Sequence, residues 1–560
     1  MTQTIDADTD ADVLIIGAGP VGLVAALDLS SRGISAIVVE ERAFLEPPNV
    51  KCNHVASRTM ESFRRLGIAG EVRAAGLPRD YPQDVAFRTS LTGREFSRIP
   101  IPASGERYTS RTGPDTSWRT PEPPHRINQT FLEPILTRHV AEAPGVTLLN
   151  RTRFLSLDQD ASSVSAIVSD VDGANERTVR ARYLIGADGG RSAVRKQIGA
   201  KLSGDPVLQH VQSTCIRAPK LYSLMSAEEP RAWGYYTFNA RRVGHVYAID
   251  GSETFLVHTY LSPEEAKTEG SVDRDTAIRA ILGVDEAFEY EIVSKEDWVA
   301  RRLLADRFRD RRVFIAGDAS HLWVPFAGFG MNAGIADVLD LTWLLGAHLG
   351  GWAEEGILAA YEAERRPITE QVSHFAMNHQ RKLARPGLPA ALEDDTPEGE
   401  EARRTFGAAV HELNEPQFAA AGLNYGYAYH GSPIIVYDGE EAPGYTMGTY
   451  VPSTVPGCRA PHFTLADGSS LYDHFSPGYT AVVARGSVVA VLTVEAERRG
   501  IPFRVVEVDA DALPKEYRCP ITLVRQDQTV VWRGGTPDRE TAAQLWETLR
   551  GNRIEAAAHE

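Results

Sequence analysis

The chain has 560 residues, with 47 glycines, 33 prolines and four cysteines, enough for three to five domain-sized units around a large core. A disulfide-stapled secreted scaffold is excluded: Cys52, Cys215, Cys458 and Cys519 are far apart, form no Cys-x-x-Cys pair and join no Cys/His cluster at metal-ligand spacing. Fifty-nine basic against 75 acidic residues give a formal charge of −16, which argues against nucleic acid and anionic membranes as partners, since no basic patch overrides it. The acidic opening stretch lacks a basic n-region, and the apolar segment 13–27 is shorter than the roughly 20 residues of a membrane span. A reducing cytoplasm is the expected location.

Val13, Leu14, Ile15 and Ile16 form a short β-branched-rich run ending at Gly17, the form of a parallel strand covered on both faces. A helical pattern follows over 20–32, stopped by Gly33, and then a second apolar strand over 34–39. Together they make one βαβ unit. The segments 183–188 (YLIGAD) and 312–318 (RVFIAGD) have the same form and are expected in the same sheet. Between these segments, 81–125 and 201–300 alternate aromatic or β-branched residues with polar ones, as in YYTF at 235–238. Alternation predicts half-exposed, mainly antiparallel strands and therefore a second sheet inserted into the first domain. Residues 334–381 have helical spacing, and the proline- and acid-rich run 383–404 reads as a linker or exposed connection. From Gly444 the pattern changes to short strands at 480–484, 488–493 and 521–525, so the chain closes with a separate small α/β domain.

Gly17-Ala18-Gly19-Pro20-Val21-Gly22 satisfies G-x-G-x-x-G. The motif alone is weak, and its position strengthens it: it follows an apolar strand, opens a helix, and precedes Glu40 at the end of the next strand about 20 residues on. Gly17 permits the tight turn, Gly19 lets the backbone approach a pyrophosphate, and Gly22 lets helix and strand pack closely. The helix start at Pro20 and Val21 turns unpaired N–H groups and the positive dipole end toward the phosphates. Glu40 is placed to accept hydrogen bonds from an adenosine ribose, and Arg42 joins it as a nucleotide-binding candidate. FAD and nicotinamide cofactors both carry ADP, so this motif does not separate them.

The segments 183–195 (YLIGADGGRSAVR) and 312–332 (RVFIAGDASHLWVPFAGFGMN) resemble the two further fingerprints of the flavoprotein aromatic hydroxylases, the single-component monooxygenases of the 4-hydroxybenzoate hydroxylase fold. The resemblance implies FAD. By it, Asp318 hydrogen-bonds the ribityl chain, as a carboxylate accepting from two hydroxyls can. Pro325, Gly330, Met331 and Asn332 would lie against the isoalloxazine, where backbone donors stabilise negative charge on the reduced ring. Ala327 stands where many relatives have glycine. Arg58 is similar to a family arginine beside the pyrophosphate, and Gln129 to a glutamine near the flavin. Asp188 either contacts the nucleotide or is a turn residue holding Arg191 and Arg195.

Further along, 456–462 (PGCRAPH), 470–473 (SLYD) and 523–533 look like the C-terminal thioredoxin-like domain of the phenol and polyketide hydroxylase branch. Without a Cys-x-x-Cys dithiol, Cys458 and Cys519 read as ordinary thiols in a domain kept for packing or dimer contacts. Residues 51–61 and 423–439 look most like the chlorophenol and phenol hydroxylases. The implied fold is α/β: a Rossmann-type FAD-binding domain (10–80, 126–200 and 301–385) with an inserted, mainly antiparallel substrate domain (81–125 and 201–300). A linker and helical connection (386–443) then leads to the thioredoxin-like domain (444–560).

With one complete nucleotide-binding fingerprint, NADPH or NADH is expected to visit a shared cleft. The resemblance implies hydride transfer to FAD, O2 addition to give the C4a-hydroperoxide, and attack on it by a phenolic ring, ortho to an existing hydroxyl. The substrate would be a small phenolic or polycyclic aromatic compound, and the family-level assembly a homodimer. Asn53, His54 and Pro325 are the catalytic candidates, with Asn53 or His54 placed to hydrogen-bond or help deprotonate a phenol. Trp233, Tyr235 and Tyr236 are the substrate candidates, and along a strand only one parity of them can face a pocket. His321, close after Asp318, reads as structural. Two other readings share the fold: a flavin-dependent halogenase, whose typical Trp-x-Trp-x-Ile-Pro segment is absent, and a catalytically silent flavin-binding or sensor module.

Overall fold

The computed structural model describes residues 9–552 except 52, 117, 227, 269, 324–327 and 384–386. Its first sheet is organised by parallel pairing. Ala11–Ile16 pairs in parallel with Ala36–Val39 on one side and Arg177–Gly186 on the other, and Arg177–Gly186 pairs in parallel with Val313–Ile315. The three apolar segments that run into glycine therefore lie side by side, as their sequences predict. Every residue of Ala11–Ile16 is buried, which explains an unbroken apolar run where a half-exposed strand would alternate. The helix Pro20–Ser31 crosses over with proline in its first turn and packs on the helix Phe329–Leu349. Antiparallel strands Thr152–Gln159 and Val164–Asp170 extend the sheet beside Arg177–Gly186.

The second sheet has eight strands. Leu202–Arg217 and Glu291–Ala305 form its long antiparallel spine, and Thr254–Leu261, Gly244–Ala248 and Gly234–Thr237 follow as an antiparallel series. Gly234–Thr237 then pairs in parallel with Val85–Arg88, so segments far apart in sequence share one surface. The two largest apolar clusters among the described residues follow, one running from the first sheet into the C-terminal segments and one around the second sheet.

Two sequence expectations are corrected. The run 383–404 is not all connection: a helix, Pro397–Phe418, begins inside it, with Thr396 accepting from the Gly399 N–H, proline at the first position and Glu398 and Glu400 in the first turn. Those are helix-start signals, and acid-plus-proline composition masked them. Residues 488–493, read as a strand, lie at the start of the helix Ala490–Arg498. Tyr479–Ala484 and Phe503–Val508 are parallel neighbours, and a parallel pair needs a crossover, most often a helix, which here overrides the strand preference of the β-branched run. Ile521–Arg525 and Val530–Gly534 complete this four-stranded sheet in antiparallel pairing.

Buried ion pairs anchor the third sheet to the rest. Arg525 meets both oxygens of Glu364 at 2.9 Å, and Arg459 meets Glu61 at 2.6 Å. Among the described residues no helix is long and apolar enough to cross a membrane.

Candidate flavin and substrate site

The glycine turn is set by close approach. Gly17 has a φ of +102°, and a Cβ there would meet the Ala187 carbonyl oxygen at 2.5 Å; a Cβ on Gly22 would lie 1.9 Å from the Gly17 carbonyl oxygen. Gly19 is different, since nothing stands within 4 Å of the place a Cβ would take. The turn is thus closed on the protein side and open at its middle glycine. Beside it, the Ala18 N–H donates to Glu40 Oε2 at 2.7 Å, and the Arg42 N–H and Nε both donate to Glu40 Oε1 at 3.0 Å. Burial works against ionisation of Glu40, but these donors hold its carboxyl below the usual range. Arg42 Nη1 also meets Glu133 Oε1 at 2.5 Å, and Gln129 Nε2 donates to the other Glu133 oxygen at 2.8 Å. Ala18, Glu40, Arg42, Glu133, Leu148 and Asn150 line a cleft at this edge of the first sheet. Glu133 was missed in the sequence, although Gln129 and Glu133 stand four apart on the helix Gln129–Glu142 and so share a face.

At the third fingerprint, Asp318 sits in the short 3₁₀ turn Gly317–Ala319 with its side chain exposed. The helix Phe329–Leu349 starts after Gly328, at φ +64°, and no side chain caps it among the described residues; Gly330 and Met331 lie in its first turn, where backbone N–H groups have no acceptor within the helix itself. The Asn332 side chain is fully engaged: it accepts from the Ala56 N–H and Thr59 Oγ1 and donates to the carbonyls of His54 and Gly328. It fixes the helix start against residues 54–59 and leaves only its backbone for a ligand. His321 donates to Asp337 at 2.7 Å and accepts from Trp323 Nε1 at 2.6 Å, a structural position, as expected. Pro325 and Ala327 lie outside the described residues. An open glycine, an exposed carboxylate and an uncapped helix start fit the phosphates, polyol and electron-rich ring edge of FAD.

Several expectations meet a different geometry. The Asp188 carboxylate accepts from Ser192 Oγ and from the N–H groups of Ala193 and Val194. With the N-cap Ser192 it holds the start of the helix Ala193–Gln197, a turn position, but it does not hold Arg195 as the turn reading expected. Arg195 donates instead to the Ala319 and Gly190 carbonyls, tying the second fingerprint to the third. Arg58 points at the third sheet rather than the pyrophosphate turn: its Nη2 donates to the Asp527 carbonyl at 3.0 Å, and its guanidinium lies 4.8 Å from the Tyr427 ring centre. Glu61, three residues on in the helix Ser57–Arg65, also faces that way, meeting Arg459 and Gln528, so this helix face is committed to the C-terminal sheet. Arg58 lines a cavity of about 340 Å³ there, with Tyr427, Trp343, Asp340 and Asp527.

The substrate candidates separate as well. Tyr235 turns away, its hydroxyl accepting from the Ala232 N–H at 2.9 Å. Tyr236 stacks on His245 with ring centres 3.6 Å apart and meets Phe418 edge-on at 5.7 Å. Trp233 reaches the same Phe418 at 6.2 Å, despite the opposite parity from Tyr236, because it precedes the regular strand Gly234–Thr237. The Arg126 guanidinium lies 4.5 Å over the Trp233 ring, and Nη1 donates to His54 Nδ1 at 2.9 Å. A Cβ on Gly328 would meet His54 Cβ at 2.9 Å, so this cluster abuts the start of the helix Phe329–Leu349. Asn53 Oδ1 accepts from Asn128 Nδ2.

His54 does not suit the deprotonating role. Burial, with the guanidiniums of Arg126 and Arg107, holds its imidazole well below the usual range, and Arg126 occupies Nδ1, which leaves Nε2 carrying the proton. It is a neutral donor. Arg126 and Phe418 were missed, the first because a lone arginine three residues before Gln129 carries no motif, the second because it ends the unforeseen helix Pro397–Phe418.

The FAD binding domain family model matches residues 10–376. The FAD-dependent monooxygenase opdD of Penicillium oxalicum is 30% identical over 504 residues, spanning 85% of this chain and 95% of that protein. Phenol 2-monooxygenase of a Pseudomonas species is 29% identical over 592 residues, spanning 97% and 93%. Among solved structures, RebC with bound 7-carboxy-K252c superposes with a TM-score of 0.86 at 32% identity, covering 98% of this chain and 100% of that one. The chain therefore belongs to the FAD binding domain family and is a flavoprotein monooxygenase that uses FAD.

Proposed function

We propose that this enzyme hydroxylates a phenolic or polycyclic aromatic ring, ortho to an existing hydroxyl, using O2 and NADPH or NADH. The observation that carries the reading is the buried cluster of Trp233, Tyr236 and Phe418 around Arg126 and His54, set against the uncapped start of Phe329–Leu349. Bound FAD supplies the redox and oxygen-transfer chemistry. Glu40, Arg42 and Glu133 hold the adenosine end, Gly19 admits the pyrophosphate, Asp318 takes the ribityl hydroxyls, and the N–H groups of Gly330, Met331 and Asn332 face the ring. Trp233 and Tyr236 orient the substrate by its faces and exclude water, while His54 donates through Nε2. The phenol relative supports the substrate class.

In this reading the first sheet binds FAD, the second sheet forms the substrate domain, and the third is thioredoxin-like. A parallel β–α–β pair followed by an antiparallel hairpin and a final helix supports that last assignment. Burial pushes the Cys458 thiol up to about 11, which suits packing rather than dithiol exchange. A cytoplasmic homodimer completes the reading.

The test is to purify the protein, establish that it is yellow and holds FAD, and screen a panel of phenols for NAD(P)H consumption together with oxygenated product. Substrate-stimulated consumption with matching product is expected. Tight FAD without stimulation would favour a silent flavin-binding module, and chloride-dependent product a halogenase.

A further inference from the structure

Arg126 is a buried cation that pairs with no carboxylate among the described residues. It is 4% exposed, and its acceptors are neutral: His54 Nδ1 at 2.9 Å and the Phe418 carbonyl at 3.3 Å. Its faces are covered by the rings of Trp233, at 4.5 Å, and Phe418, at 5.8 Å. Among the described residues the charged groups that act on it most are Asp115 and Arg107, and those two pair with each other at 2.9 Å with both side chains buried. Tyr236 and Tyr247 also face it; burial pushes Tyr236 well above the usual phenol range and Tyr247 up to about 12, so both stay neutral. His54 and His125 are neutral too, each lowered first by burial, His125 to about 3. The same burial pushes Arg126 down only to about 10, so it is cationic at neutral pH. Two guanidiniums and one carboxylate leave one net positive charge in a closed aromatic environment. An uncompensated buried ion costs several kcal/mol, a cost that a ligand of opposite charge removes.

We propose that Arg126 is the counter-ion for an aromatic substrate that binds as an oxyanion, a phenolate or a ring carboxylate, and that it selects anionic rings over neutral ones. The inference rests on the aromatic-hydroxylase reading and names its substrate class. The charge sits between the two sites: Tyr236 and Tyr247 lie on the second sheet, Trp233 directly precedes the strand Gly234–Thr237, and His54 links Arg126 to the helix start assigned above to the cofactor ring. Arg126 also accounts for the tautomer of His54, because a donor on Nδ1 directs Nε2–H outward as a second donor to the same oxyanion. Arg126 is then a specificity residue, and proton removal from the substrate is left to solution, since the bound form arrives ionised.

The test uses the FAD-loaded protein and two matched probe pairs, 4-nitrophenol against 4-nitroanisole and salicylate against salicylamide, with affinity read from perturbation of the flavin absorbance. Hydrogen bonds to a charged partner predict that the anion binds about 10- to 100-fold tighter than its neutral counterpart. Preference within the nitrophenol pair identifies a phenolate site, and preference within the salicylate pair a carboxylate site. Arg126→Met should abolish the preference with FAD content and flavin midpoint potential unchanged, and Arg126→Lys should retain part of it. If Arg126→Met fails to fold, the wild-type preference and the lysine variant decide. The proposal is overturned if the wild-type protein shows no anion preference, if the preference survives in Arg126→Met, or if that variant shifts the flavin potential and leaves the preference intact. Failure to bind FAD would sink the enzymatic reading; an active, FAD-loaded enzyme indifferent to charge would sink this inference alone.

Discussion

Gly22 packs so closely on Gly17 that a Cβ on the former would stand 1.9 Å from the carbonyl oxygen of the latter, whereas the site of a Cβ on Gly19 is clear to 4 Å. The two glycines are required for different reasons, and substitution separates them. Gly22→Ala should destabilise the fold itself, by about 1–3 kcal/mol for an overpacked site. Gly19→Ala, at a φ of −73° that alanine adopts freely, should leave thermal stability of the cofactor-free protein intact while weakening FAD binding. Thermal melts with and without added FAD distinguish the two; equal loss of apo stability in both variants would contradict this division.

Glu133 joins Arg42 to Gln129 through its two carboxylate oxygens. Glu133→Gln should lower FAD affinity by roughly tenfold, the scale of one lost charge-assisted hydrogen bond. Fluorescence titration of the stripped protein with FAD measures this, and an unchanged dissociation constant would remove Glu133 from the cofactor site.

Because His54 is buried beside Arg126 and Arg107 and its imidazole lies well below the usual range, it does not titrate in the working range of the enzyme. The pH dependence of kcat/KM should contain no ionisation between about pH 5 and 8 that belongs to His54. A limb in that range that vanishes in His54→Gln would restore the imidazole as a base.

Asp28 is fully buried and accepts from Arg32 at 2.7 Å, Arg65 at 2.5 Å and Thr342 at 2.5 Å. Burial opposes its charge, but the two guanidiniums hold its carboxyl below the usual range. A depressed folded-state value means that its stabilisation is present above the ordinary carboxyl range and is lost as pH falls through the folded value. Asp28→Ala leaves both arginines without this partner and should cost about 3–5 kcal/mol at neutral pH, measured by denaturant unfolding. A loss below 1 kcal/mol would show that water replaces the carboxylate.

Asp340 behaves in the opposite sense. Burial first, and then the charge of Asp527, raises its carboxyl to about 7 despite Arg365 nearby. The folded state therefore holds a proton that the unfolded chain releases at lower pH, so the group's contribution to stability falls as pH rises from about 4 to about 7. Asp340→Asn keeps an acceptor for the Tyr429 hydroxyl, which donates to Asp340 at 2.6 Å. The variant should come closest to wild type near pH 4 and melt progressively higher than wild type as pH rises to about 8; a constant difference across that range would contradict the assignment.

The first sheet was legible because its residues obey local rules. Val13 to Ile16 are apolar on both faces, Gly17 is required by its positive φ and Gly22 by its contact with Gly17 within one turn, and Glu40 follows at the distance a single βαβ unit sets. The alternating residues likewise announced a mainly antiparallel sheet, although the YYTF example is buried rather than half-exposed: Gly234–Thr237 is buried throughout and pairs in parallel with Val85–Arg88 on one side. Arg126, Phe418 and Glu133 were not legible in this way, because each acquires its role from a partner supplied by another element: Arg126 from Trp233, Phe418 from Tyr236, and Glu133 from Arg42. Arg58 shows the converse, a residue with a family-like setting whose partner, Asp527, lies 469 positions away.

Taken alone, the sequence determined that the chain builds a dinucleotide turn and a second, alternating sheet, since backbone conformation and periodic burial depend on neighbours a few residues apart. Only the tertiary structure decided which charges are balanced. The energy of a buried ion depends on every group packed around it, so the unmatched charge of Arg126, the neutrality of His54 and the raised Asp340 carboxyl emerge only when distant segments close around them.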